Sequence, residues 1–198
     1  MNQLICIHGG ETFDTYEEFL DAFSSWTYDP MRSLERNWKD TLSEKLGDTW
    51  EVLQPAMPNK QNAHYNEWRM WFEKVLAYAK DDVICAGHSL GGVFLAKFLS
   101  EEVAPVRIKA SILIAAPFFE KEKEYSLADF SLPESLVSFT RQGGAIHLLH
   151  SEDDPVVPYK NARAYKEALL GAHLHTFKDR GHFRQENFPE LIRLIKSI

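Results

Sequence analysis

The sequence predicts an α/β protein: a three-layer α/β/α sandwich whose mostly parallel, six-stranded sheet carries helices on both faces. Three observations point there. Short runs that are apolar throughout alternate with stretches of helical spacing, as in a parallel sheet covered on both sides. One such run, Val83 to Ala86, leads through Gly87-His88-Ser89-Leu90-Gly91 into a second apolar run of helical length. The chemically capable polar residues fall in loops that follow the strand-like runs, where such sheets collect functional groups.

In chain order, Leu4 to Ile7 is a first buried strand that opens into the turn His8-Gly9-Gly10. Thr15 and Glu18 have capping-box spacing and start a helix with Phe19, Leu20 and Phe23 on its apolar side, followed by a loop with Trp26, Tyr28 and Pro30 that reaches Ser33. Leu34, Trp38, Leu42 and Leu46 recur every four residues before Gly47, the pattern of an amphipathic helix with a glycine cap. Trp50 to Leu53 is a second strand, closed by Pro55 and Pro58, and Tyr65, Trp68, Phe72, Val75 and Ala79 trace one face of a helix whose aromatics belong to the core. After the strand and helix around Ser89, Ala110 to Ala115 is a fourth strand, followed by Pro117-Phe118-Phe119 and a charged, solvated stretch from Glu120 to Glu124. A helix from Pro133 to Arg141 stops at Gly143-Gly144; Ile146 to Leu149 is the fifth strand, Ala162 to Leu170 a helix, Leu174 to Phe177 the sixth strand, and Glu186 to Lys196 the last helix. No repeat, linker or low-complexity segment divides the chain, so residues 1–198 are expected to form a single domain.

Composition narrows the function. The 198 residues carry a formal net charge of -7, without the basic patch or stripe that marks nucleic-acid binding. No apolar run approaches the length needed to span a bilayer, and the first cationic side chain is Arg32, so neither membrane association nor a signal peptide is expected. The two cysteines, Cys6 and Cys85, both lie in apolar runs and read as small buried hydrophobes of a reducing, cytoplasmic setting. His147, His150, His173 and His175 sit on strands in no spacing that suggests a metal site, so no metal and no cofactor are implied.

The chemistry centres on Ser89. A serine at the apex of a tight strand-to-helix turn needs neighbours almost without side chains, which Gly87 and Gly91 supply. The turn also sets the hydroxyl at a helix N-terminus, where unpaired N–H groups, that of Leu90 among them, face any oxyanion forming on a bound carbonyl. Two further loops hold polar groups: Ser151-Glu152-Asp153-Asp154-Pro155-Val156-Val157-Pro158 after the fifth strand, and Asp179-Arg180-Gly181-His182-Phe183 after the sixth. Serine, aspartate and histidine thus occur in an order known for catalytic triads on α/β sheets.

Through Gly87-His88-Ser89-Leu90-Gly91, Asp154-Pro155-Val156-Val157-Pro158 and Gly181-His182-Phe183, the chain resembles the α/β-hydrolase superfamily over nearly its whole length. Within it the chain is similar to the small single-domain serine hydrolases related to retinoblastoma-binding protein nine, which lack a large lid domain. The segment from Glu11 to Arg32 is long for these minimal enzymes, and marks a candidate cover over the pocket. The resemblance implies that Ser89 is the nucleophile, His182 its general base, and Asp154 rather than Asp153 the carboxylate that orients the histidine, because the family pattern places the acid three residues before Val157-Pro158. It also implies Gly10 as the second oxyanion donor beside Leu90, with Glu11 an awkward neighbour for a developing negative charge. The expected activity is that of a serine hydrolase, a carboxylesterase on small or medium acyl esters; a peptidase or amidase on the same triad and an inactive fold used for binding are the alternatives. Phe118 and Phe119, the aromatic pair following a strand on the catalytic side, are expected to wall the acyl pocket.

Overall fold

The computed structural model describes residues 1–31, 34–122 and 125–198; Arg32 and Ser33, at the end of the expected cover, and Lys123 and Glu124, in the charged stretch, lie outside the described residues. Six strands, β1 (Asn2–Ile7), β2 (Trp50–Leu53), β3 (Val83–His88), β4 (Ile108–Ile114), β5 (Ala145–Ser151) and β6 (His173–Phe177), form one sheet in the order β2-β1-β3-β4-β5-β6. Every neighbouring pair is parallel. The chain leaves β1 to one side for β2 and then returns to the other side for β3, so the sheet's switch point lies between β1 and β3, whose carboxyl ends open the crevice where ligands bind in such folds.

Seven helices are described: α1 (Tyr16–Ser25), α2 (Leu42–Leu46), α3 (Tyr65–Leu76), α4 (Leu90–Glu101), α5 (Val137–Gln142), α6 (Lys160–Ala168) and α7 (Pro189–Ser197). Strand residues alternate between two cores. Ile5, Ile7, Val83, Cys85, Leu113 and Leu148 face a layer built from Trp68, Phe72, Phe94, Phe98, Phe139 and Tyr165 of α3 to α6. Leu4, Cys6, Ile84, Ala86, Ile112 and Leu149 face Leu42, Leu46, Leu191 and Ile195 of α2 and α7. Because both faces are covered, β3 is buried at all six positions, which is why it reads as an unbroken apolar run.

The structure departs from the sequence pattern in two helices. The period from Leu34 to Leu46 yields only α2: Leu34 is exposed, and the side chains of Asn37 and Asp40 bond local backbone N–H groups, an alternative to helical bonding. Trp38 is buried there for another purpose, described below. In α1 the capping box forms, with Glu18 N–H donating to Thr15 Oγ1 at 3.1 Å and the Glu18 carboxylate accepting from Asp14 N–H at 3.1 Å. Its apolar side, however, buries no residue; Phe13, Phe19, Phe23 and Trp26 pack against one another instead, tilted or edge to face, with successive ring centroids 5.4–5.6 Å apart.

Register places Cys6 beside Ala86 and Cys85 beside Ile5, so the two thiols sit on adjacent strands but project into opposite cores. Burial pushes both thiols up to about 12. Both should therefore remain reduced and resist iodoacetamide at pH 8 until the protein is denatured; mass spectrometry showing alkylation of the native protein, or a loss of two hydrogens without reductant, would contradict this.

Candidate active site

Ser89 stands between β3 and α4 with φ 54° and ψ −121°, a left-handed conformation that costs a side-chain-bearing residue roughly 1–3 kcal/mol. Its surroundings hold it there. A Cβ on Gly87 would lie 2.2 Å from the Gly91 carbonyl oxygen, and one on Gly91 would lie 2.5 Å from that of His8. The turn and the end of β1 are thus in direct backbone contact. That contact sets the Gly9-Gly10 loop against the serine: a Cβ on Gly9 would stand 3.2 Å from Ser89 Cβ. Gly10, Leu90, Ser89 and His182 line one cavity. Leu90, as the first residue of α4, has an N–H without an intrahelical acceptor.

The loops after β5 and β6 bring the other two candidates together. His182 Nδ1 donates to Asp154 Oδ2 at 2.9 Å and lies 3.1 Å from Oδ1, with both side chains nearly inaccessible. Asp154 Oδ1 also accepts the backbone N–H groups of Val156 and Val157, each at 2.9 Å, so the carboxylate is fixed by its own turn before it meets the imidazole. Asp153 has a different task. Its Oδ1 accepts from Ser151 Oγ and from Gly181 N–H at 2.9 Å, tying the β5 loop to the β6 loop.

Four residues that the sequence reading passed over hold these loops in place. His88 is buried inside the serine turn, and its Nε2–H donates to the His182 carbonyl at 2.9 Å. Burial, aided by the nearby Lys39 and His182 charges, holds its pKa well below the usual histidine value, so it is a neutral donor. Trp38 Nε1–H donates to the Phe183 carbonyl at 2.9 Å, where Phe183 itself has φ 52°. His150 Nε2–H donates to the Val157 carbonyl at 2.8 Å beneath Asp154. His8 Nδ1–H donates to the Gly9 carbonyl at 2.6 Å while its Nε2 accepts from Met57 N–H at 2.9 Å, which fixes a neutral tautomer and pins the loop after β1. Signals existed in the sequence only for His88, by its place within the motif, and for His8, beside the two glycines; Trp38 and His150 act through contacts that no local pattern announces.

Phe118 and Phe119 are not where the sequence placed them. Neither borders the cavities at Ser89. Asn161 Oδ1 accepts both of their N–H groups, at 2.8 and 3.1 Å, which turns the Phe118 ring onto Tyr165 and leaves Phe119 under the Lys160 ammonium. The loop after β4 does reach the cavity, but through Pro117, Tyr125 and Leu127, facing Val156 and Val157. The segment after β1 also borders Ser89: Phe13, Ala22, Trp26 and Thr27 form one side of a second cavity there. It is fastened to the β4 loop by Ser126 Oγ on Asp14 at 2.7 Å, by Lys121 on Asp14 at 3.2 Å, and by Thr12 on the Ser126 carbonyl. Glu11 borders both cavities, its backbone bonded to Lys60 and Ala63 at 2.8 Å each. Among the described residues, no cluster of side chains could hold a metal ion, and no helix is long and apolar enough to cross a membrane.

Residues 31–192 match the family model described as serine hydrolase. The chain is 29% identical over 151 residues to the serine hydrolase RBBP9 of Rattus norvegicus, covering 75% of this chain and 78% of that protein. Among solved structures it is similar to the ydeN gene product from B. subtilis, with a TM-score of 0.80 at 17% identity over 100% of this chain and 98% of that one. Est1E from Butyrivibrio proteoclasticus superposes with a TM-score of 0.64 at 16% identity, over 99% of this chain and 86% of that one. At such identities these two structures speak for the α/β-hydrolase fold alone.

The backbone contact beneath Ser89 leaves no room for a methyl group on Gly91. Gly91→Ala should cost about 1–3 kcal/mol through forced backbone movement, lowering Tm by roughly 2–4 °C per kcal/mol. An unchanged melting temperature by calorimetry would show that β1 and α4 are not in the contact described.

Proposed function

The chain belongs to the serine hydrolase family, and on that premise we propose that it is a carboxylesterase acting on small or medium acyl esters through Ser89, His182 and Asp154. The observation that carries this reading is the buried 2.9 Å hydrogen bond from His182 to a carboxylate already fixed by two backbone N–H groups, in a cavity shared with a strained serine. In this reading the serine hydroxyl attacks the ester carbonyl as His182 Nε2 takes its proton, and the Gly10 and Leu90 N–H groups receive the oxyanion. His182 then protonates the departing alcohol. Water, deprotonated by the same imidazole, hydrolyses the acyl-enzyme and restores Ser89.

Asp154 holds Nδ1 protonated, so that Nε2 is the basic nitrogen, and it balances the imidazolium that forms in each half-reaction. The buried, unpaired thiols support a reducing, cytoplasmic setting. A matched pair of acetyl ester and acetyl anilide separates esterase from amidase: the reading expects the ester to be the far better substrate after correction for intrinsic reactivity, and a preferred anilide would overturn it.

Ser89→Ala should abolish both p-nitrophenyl acetate hydrolysis and labelling by a fluorophosphonate probe while leaving the far-ultraviolet circular dichroism unchanged. Persistent labelling in that folded variant would exclude Ser89 as the nucleophile. Asp154→Asn should reduce kcat by up to about 10⁴-fold, the scale seen when a triad carboxylate no longer fixes the tautomer. Asp153→Asn, which loosens a tie between loops, should cost far less; the opposite ranking would assign the acid to Asp153.

A further inference from the structure

Two cavities of very different size meet at the proposed nucleophile, sharing Gly10, Glu11, Ser89, His182 and Arg184 as common walls. The first is a small chamber of about 60 Å³ between Leu90, Pro117, Tyr125, Leu127, Val156 and Val157, with Thr12 and Ser126 also on its walls. The second is a wider cleft of about 820 Å³, lined by Phe13, Ala22 of α1 and Trp26 and by Lys60, Gln61 and Arg184. Among the described residues neither Lys60 nor Arg184 makes an ion pair, and Glu11 is the one carboxylate on the cleft wall, so its fixed charge is positive.

We propose, building on the esterase reading, that the enzyme is selective for short-chain esters of a flat, anionic alcohol: the acyl group enters the small chamber and the alcohol lies in the cleft between the aromatic rings and the two cations. Reaction order assigns the two sides. The ester C–O bond breaks as the acyl group passes to Ser89 Oγ, and the alcohol leaves first with the proton carried by His182, so it needs the side open to solvent. The acyl group stays attached until water cleaves it, and the smaller chamber, with Leu90, Val156 and Val157 on its walls, has room for a short acyl chain. Water supplies the hydroxyl of the released acid and the proton that resets the serine and imidazole pair. A negatively charged alcohol is steered into the cleft by Lys60 and Arg184, while Phe13 and Trp26 on its wall supply aromatic surface for a planar ring to pack against.

The test compares 3-acetoxybenzoate, phenyl acetate and 3-acetoxyphenyl trimethylammonium, each kcat/KM divided by that ester's hydroxide-catalysed rate, together with 3-octanoyloxybenzoate. The anionic acetate should exceed the cationic one by at least about tenfold at low ionic strength, with the margin shrinking as salt is added, and should exceed the octanoate by a similar factor. Lys60→Glu and Arg184→Glu should each move the anion-to-cation ratio about tenfold toward the cation. Turnover of all three acetates at similar corrected rates, or a ratio that charge reversal leaves in place, overturns this inference while the esterase reading stands. A folded wild-type protein that neither turns over any acetate nor takes the fluorophosphonate label overturns the esterase reading, and this inference with it.

Discussion

The backbone contact between the end of β1 and the first turn of α4 is the constraint on which the site depends. At Gly91 the helix backbone passes so close to the Ile7 and His8 carbonyl groups that a methyl group would have to displace them. At Gly87 the strand passes equally close to the turn it has just made. Together these approaches place two chain segments, distant in sequence, with the Ser89 hydroxyl and the Gly9-Gly10 loop side by side at the sheet's switch point. Each strand buried on both faces adds rigidity to that junction, so its geometry is inherited from the core rather than from flexible loops.

Around this junction the polar residues form a lattice rather than a set of independent contacts. The His182 loop is held from three directions, by His88 on its carbonyl, by Trp38 on the next one and by Asp153 on the Gly181 N–H. The Asp154 loop is held by its own two N–H groups and by His150 on Val157. Backbone carbonyls gripped in this way need neutral imidazole donors, and burial keeps His88 and His150 on the neutral side by lowering their pKa values. Neither imidazole then places a positive charge beside the Asp154 carboxylate, whose hydrogen bond goes to His182.

All six strands were legible in the sequence: the inner ones because strands buried on both sides have an apolar signature that survives without context, and the edge strands β2 and β6, which bury no residue fully, from their short runs between turn residues and helical stretches. The Ser89 turn was legible for a related reason: close backbone approach admits only glycine, so Gly87 and Gly91 mark it. Helix limits were less legible, since Leu34 and Trp38 fit the α2 period while Asn37 and Asp40 bond the backbone locally. The pocket walls were the least legible. Phe118 and Phe119 stand directly after a strand on the correct side, yet a single Asn161 carbonyl oxygen that accepts both N–H groups turns them away, and nothing in local sequence announces a partner so far along the chain. The apolar side of α1 misled in the same manner: its rings satisfy one another rather than the core.

Ser89 adopts a backbone conformation that glycine would take without strain. At this residue, selection for thermal stability alone would therefore favour losing the hydroxyl, because a glycine would ease the turn. Under the proposed reading, robustness and reactivity pull in opposite directions at this position, and the residue present is the one that carries a hydroxyl. Drift in a lineage released from its chemistry should accordingly begin here, with serine giving way to glycine, while Asp154, whose carboxylate also holds two backbone N–H groups, would persist long after the activity had gone.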